Sequence, residues 1–143
     1  MKTRVLTIDS EELYFSAAHY LADHPKCGVM HGHSYFIRKL LVEVEGFVDL
    51  GLIKNACKAF DHATLVPSKH STDWSALRNV VKDTPLEKVF SNIIVLEDND
   101  LPGTTVEMMG EQLAKKFKAI PGIVDVSFEL YEGPIQGVII GSE

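Results

Sequence analysis

Three imidazoles can meet at one ion only if the backbone brings them together, and His31-Gly32-His33 with His19 upstream places that demand on this chain. Residues two apart on an extended strand point to one face. His31 and His33 therefore approach a common point, and Gly32 leaves room on the opposite side. His19 ends the run Phe15-Ser16-Ala17-Ala18-His19 and would have to arrive from a neighbouring strand. Three nitrogens are what a catalytic zinc uses when it keeps one position for water or substrate. With Cys27 added, the same set could close a four-ligand structural site. Without a metal it would be a half-exposed polar strand. His19, His31 and His33 lie within a span of fifteen residues that also holds a thiol, and that density favours a metal site.

The rest of the composition bounds the partners. The chain has 143 residues, 45% of them hydrophobic, which suffices for a sizeable core and predicts one domain over 1–143. Its net charge of −6 comes without a block of like charges, which argues against a nucleic-acid surface. No apolar run approaches the length of a membrane span, and the start lacks the apolar stretch of a signal peptide. Two cysteines at unlike sites do not make a disulfide framework. These features predict a cytoplasmic protein with no membrane or nucleic-acid partner. There is no glycine-rich phosphate loop, so an anionic substrate would be met by a local group of Lys and Arg.

Periodicity gives the order of elements. Residues 3–9 alternate as a strand, and 13–19 continue or follow it. Residues 20–30 form a loop rich in Pro, Gly and charge, and 34–45 make a long strand that Gly46 ends. Residues 50–60 have helical spacing, with Leu52, Ile53, Ala56, Ala59 and Phe60 on one stripe and Cys57 beside it as a small buried residue. The stretch 67–92 reads as an insertion, with a short helix at 73–81, and a short strand follows at 92–97. Thr104 or Thr105 can cap a helix over 106–119, and Pro121-Gly122 breaks it. Strands at 123–131 and 137–140 close the chain.

Three further groups carry possible chemistry. As a thiolate, Cys27 could ligate a metal, act as a nucleophile or accept a proton. In Phe60-Asp61-His62 the histidine is a candidate acid or base and the carboxylate could fix its tautomer, though a polar pair at a helix end reads the same way. Glu132 ends an apolar strand before a Gly-Pro turn, where a carboxylate can hold a planar pair of N–H donors or simply be solvated. His24 and His70 sit in polar loops with no role assigned.

Together, Phe15-Ser16-Ala17-Ala18-His19, Cys27 with His31-Gly32-His33, Phe60-Asp61-His62, Thr105-Val106-Glu107 and Tyr131-Glu132 resemble the 6-pyruvoyltetrahydropterin and 6-carboxytetrahydropterin synthase family, in its order and over about residues 4–140. The resemblance implies an α+β tunnelling fold: an antiparallel four-stranded sheet with two helices on one face, order ββααββ, interrupted by the insertion around 67–92. It implies Zn2+ held by His19, His31 and His33, with Cys27 as general base. Asp61 and His62 would handle protons from a neighbouring subunit of a homo-oligomer, a trimer or a dimer of trimers with active sites at the interfaces. Glu132 would anchor the pterin ring, with Thr105 and Glu107 near it. The implied substrate is dihydroneopterin triphosphate. The short gap between Cys27 and His-Gly-His resembles the carboxytetrahydropterin branch, which serves queuosine synthesis and releases acetaldehyde with triphosphate. Elimination stopping at 6-pyruvoyltetrahydropterin is the nearest alternative, and a non-catalytic zinc-stabilised pterin-binding protein is another.

Overall fold

A computed structural model describes residues 2–97, 101 and 103–141. Its organising element is β3 (His31–Glu45), a strand of 15 residues that no single partner spans. Along one edge it is served in relay. β2 (Tyr14–His19) pairs antiparallel with its first part, and β1 (Thr3–Ile8) pairs antiparallel with its last. The expected first strand is thus one strand broken by a turn. Opposite the break, β3 carries a bulge between Arg38 and Leu41 with Lys39 at φ 52°, which bends the strand and lets the sheet curl. On its other edge lies β6 (Ile123–Glu132), then β7 (Gly137–Gly141), both antiparallel.

The antiparallel part matches the expected sheet, and the structure extends it. β4 (Ala63–Pro67) adds to β2 in parallel, and β5 (Ile93–Leu96) adds to β4 in parallel. Periodicity missed β4 because Ala63, Leu65, Val66 and Pro67 are all buried, and a strand covered on both faces does not alternate. Between β4 and β5 the insertion contains two 3-10 turns and a third helix, α2 (Ser71–Val81). The parallel pairing explains its length, since parallel neighbours need a long crossover.

α1 (Leu50–Lys58) and α3 (Val106–Lys118) close over one face. Asp49 caps α1 by accepting from Gly51 N–H at 2.8 Å. α3 buries Met109, Leu113 and Phe117 against Phe128, Leu130 and Ile140 of the sheet. Gly110 permits that approach, because a Cβ there would lie 2.6 Å from the Ile140 side chain. Cys57 is fully buried, as the sequence reading expected, and burial pushes its thiol up to about 12. Among the described residues no helix is long and apolar enough to cross a membrane.

Candidate metal centre and active site

In the β2–β3 register His19 lies opposite His31 and Ala17 opposite His33. His19 shares its side of β2 with the buried Phe15 and Ala17, and His31 and His33 share theirs on β3 with the buried Tyr35 and Ile37. All three imidazoles therefore belong to the helix-covered face, at the end of the hairpin. Ring centroids are 4.6 Å apart for His19–His31 and 4.9 Å for the other two pairs. One ring nitrogen of each lies within 4.8 Å of the others, so the three could hold a metal ion.

Each ring is also held from behind. His19 Nδ1 lies 2.7 Å from the Thr104 carbonyl, and since a carbonyl only accepts, Nδ1 carries the hydrogen. Nε2 is then a bare lone pair. It is buried, on a residue 2% exposed, and has no hydrogen-bond partner among the described residues. A buried acceptor left unpaired is costly, and a cation between the rings would answer it. His31 Nδ1 donates likewise to the Val29 carbonyl at 2.7 Å, and His33 Nε2 sits 3.1 Å from Glu132 Oε1. A ring nitrogen engaged by an oxygen fixes tautomer and orientation, which is how metal-binding histidines are set. The residues present fit a metal with imidazole preference.

The electrostatics agree. Burial pulls the His19 imidazole down to about 4, the Thr104 carbonyl opposes this in part, and His31 and His33 depress it further. An imidazole kept neutral is ready as a ligand. Burial raises the Glu132 carboxyl, offset by His33 and His31 and reinforced by Glu107. Glu107, in the first turn of α3, is thus close enough to Glu132 for their charges to interact. Thr105 is the N-cap of that helix, accepting from Met108 N–H at 3.3 Å, while the neighbouring Thr104 is fully buried.

Cys27 is free and half-buried in a tightly wound loop. Its N–H donates to His24 Nδ1 at 2.9 Å and its carbonyl accepts from Leu21 N–H at 2.7 Å. His24, without a role in the sequence reading, is therefore what folds the loop back on itself. Asp61 and His62 lie elsewhere. Asp61 accepts from Ser16 N–H at 2.9 Å and pairs with His62 Nδ1 at 3.1 Å. The Ser16 N–H, with help from His62, holds the Asp61 carboxyl below the usual range. His62 is exposed and lines a hollow of about 430 Å3 together with His33 and with Ser16, Ala18, Gly32 and Ser34. The structure brings together His19, His31, His33 and Glu132, with Glu107 nearby, while Asp61 and His62 pair with each other beside Ser16. A larger hollow, about 880 Å3, lies further along β3 around the bulge and contains none of these residues.

Sequence reasoning missed four residues near the site. Thr104 acts through a backbone carbonyl, which no motif displays. Tyr20, His70 and Trp74 join one another across 50 or more positions, which only the fold reveals.

A curled, mostly antiparallel sheet with helices on one face and three imidazoles converging at a strand end defines an α+β domain with a cluster that could hold a metal ion. The sequence pattern of the 6-pyruvoyl tetrahydropterin synthase family matches residues 8–141, and the chain belongs to that family. A Methanocaldococcus jannaschii protein named "Putative 6-carboxy-5,6,7,8-tetrahydropterin synthase" is 41% identical over 76 residues, a match covering 47% of this chain and 47% of that protein. The matched part thus spans about half the length of that relative. Among solved structures, 6-pyruvoyl tetrahydropterin synthase from Plasmodium vivax superposes with a TM-score of 0.62 at 14% identity over 99% of both chains. The Plasmodium falciparum enzyme does so with a TM-score of 0.59 at 16% identity over 98% of both. The fold is the tunnelling fold of these synthases.

Proposed function

We propose that this protein is a zinc-dependent lyase that converts 7,8-dihydroneopterin triphosphate to 6-carboxy-5,6,7,8-tetrahydropterin, releasing acetaldehyde and triphosphate. The observation that carries the reading is the convergent set of His19, His31 and His33, with a buried His19 Nε2 that has no hydrogen-bond partner among the described residues. Family membership and the name of the archaeal relative support the pterin substrate and the carboxy branch. When bound, zinc supplies a Lewis acid that acidifies the hydroxyls of the substrate side chain.

The remaining roles belong to the chain's own residues. Cys27, free and at the rim of a wound loop, takes protons from the side chain as general base and leaves the fourth metal position open. Glu132 meets the pterin's amino and ring N–H edge with its half-buried carboxylate, and Glu107 and Thr105 border that end of the pocket. His62 is exposed and paired with Asp61, which suits service to the Cys27 of a neighbouring subunit. The edges of β1, β5 and β7 that have no strand partner among the described residues favour a closed homo-oligomer, a trimer or dimer of trimers. One sheet and one core support reading 1–143 as a single domain, and the name of the archaeal relative suits a cytoplasmic role in supplying 7-deazapurine and queuosine synthesis.

The test is product analysis with the zinc-loaded protein and dihydroneopterin triphosphate. Acetaldehyde equal to triphosphate is expected. A diketone product without acetaldehyde would instead make the protein a 6-pyruvoyltetrahydropterin synthase, and pterin binding without triphosphate release would make it a non-catalytic binder.

A further inference from the structure

The inserted segment is linked to the candidate metal centre through Tyr20, which is hydrogen-bonded at both its hydroxyl and its carbonyl. Trp74, on α2, has only a donor to offer, and its Nε1–H reaches Tyr20 Oη at 2.9 Å. Tyr20 Oη also lies 2.8 Å from His70 Nδ1. The tyrosine hydroxyl accepts from Trp74 and can give its own hydrogen to His70 Nδ1. The Tyr20 and His70 rings lie nearly parallel, 9° apart, and Phe90 packs against Trp74 from beyond at 6.1 Å. Tyr20 is thereby clamped at its tip.

Its backbone is clamped as well. The Tyr20 carbonyl accepts from Thr104 Oγ1 at 2.6 Å, and the Thr104 carbonyl in turn accepts from His19 Nδ1 at 2.7 Å. Tyr20 follows His19 in the chain, so these bonds close a ring through His19, Tyr20 and Thr104. Thr104 is 1% exposed and His19 2%, so neither can easily trade its partner for water.

We infer that Tyr20, Thr104, His70 and Trp74 are positioning residues for the metal ligand His19, so that docking of the inserted segment sets how tightly the site holds its metal. The inference rests on the three-histidine reading. Partners that orient a metal-binding histidine from behind are worth ten- to hundredfold in metal affinity. Here the direct partner of His19 is the Thr104 carbonyl, and His70 and Trp74, from a segment that otherwise lies outside the site, act further back through Tyr20.

The experiment uses zinc as the probe. Its dissociation constant is measured by chelator competition on the folded, purified protein, with emission from Trp74, the single tryptophan, as a second signal. Thr104→Val keeps the shape and removes the bond to the Tyr20 carbonyl, and Tyr20→Phe removes both tip bonds. Each should weaken zinc binding ten- to hundredfold, and Thr104→Ser should restore it. Trp74→Phe acts from the insertion itself, so it serves if a buried variant fails to fold, and it should weaken zinc severalfold. Zinc should shift Trp74 emission in the parent protein and not in Tyr20→Phe. Parent-like zinc affinity in Thr104→Val and Trp74→Phe, with zinc still lost in His31→Ala, would overturn this inference and leave the metal centre standing. Zinc retained at full affinity in His31→Ala would overturn the three-histidine reading and this inference with it.

Discussion

Acidifying the metal-free protein should cost it stability through His19, and the size of that cost follows from the environment of the imidazole. In the folded chain burial pulls His19 from its ordinary 6.5 down to about 4. In the unfolded chain it titrates at its ordinary value. Between those two values the unfolded state binds the extra proton and the folded state does not. The contribution is therefore fully present above about pH 6.5 and lost as the pH falls toward 4. Linkage between the two values gives a loss of about 2 kcal/mol from pH 7 to pH 5. For a chain of this size that lowers Tm by roughly 6 °C. Other ionisable side chains surround His19, so the measurement is a difference between proteins. His19→Asn keeps a donor for the Thr104 carbonyl and has no group that titrates in this range. Urea unfolding with chelator present, at pH 7 and pH 5, should show the parent losing about 2 kcal/mol more than the variant. Equal losses would refute the argument, because His19 would then be solvated or already charged in the folded state.

Other consequences can be checked as directly. The Tyr35 hydroxyl is buried without a hydrogen-bond partner among the described residues, so Tyr35→Phe should stabilise the metal-free protein by about 1 kcal/mol in urea unfolding; a loss of stability would show a hidden partner. Under native conditions an alkylating reagent should modify Cys27 and spare the fully buried Cys57, and peptide mass analysis should find activity falling in step with Cys27 modification. If Asp61 and His62 serve a neighbour, mixing inactive Cys27→Ala and His62→Ala subunits should recover part of the activity, and efficient exchange without rescue would place all three groups in one chain. Glu132→Gln puts a donor where the pterin offers donors, so titration with a fluorescent pterin should show affinity down about tenfold or more. Unchanged affinity would remove Glu132 from the pocket.

Much of the site was legible in the sequence because strand alternation is a local rule. His31 and His33 had to share a face, and an antiparallel neighbour then placed His19 opposite His31. The helices over 50–58 and 106–118 showed their apolar stripes, and Cys57 its burial. β4 stayed hidden because burial on both faces erases alternation, and α2 was shortened because much of its length is exposed. The pairing of Glu132 with His33, the support of His19 by Thr104 and the clamp on Tyr20 depend on contacts between distant segments. No spacing rule encodes them. The placement of Asp61 beside Ser16 was also invisible, since it turns on where the chain meets β2 after α1.

The central claim is an open metal site made by three histidines, with Cys27 outside it as a base. It is tested most directly by the visible spectrum of the cobalt-substituted protein as dihydroneopterin triphosphate is added. One cobalt per chain is expected, with a low-coordinate nitrogen spectrum and no thiolate-to-metal charge-transfer band. The spectrum should change as substrate enters the open position, and it should be the same in Cys27→Ala before substrate is added. A thiolate band that disappears in Cys27→Ala, with no response to substrate, would make the site a closed structural one and contradict the account.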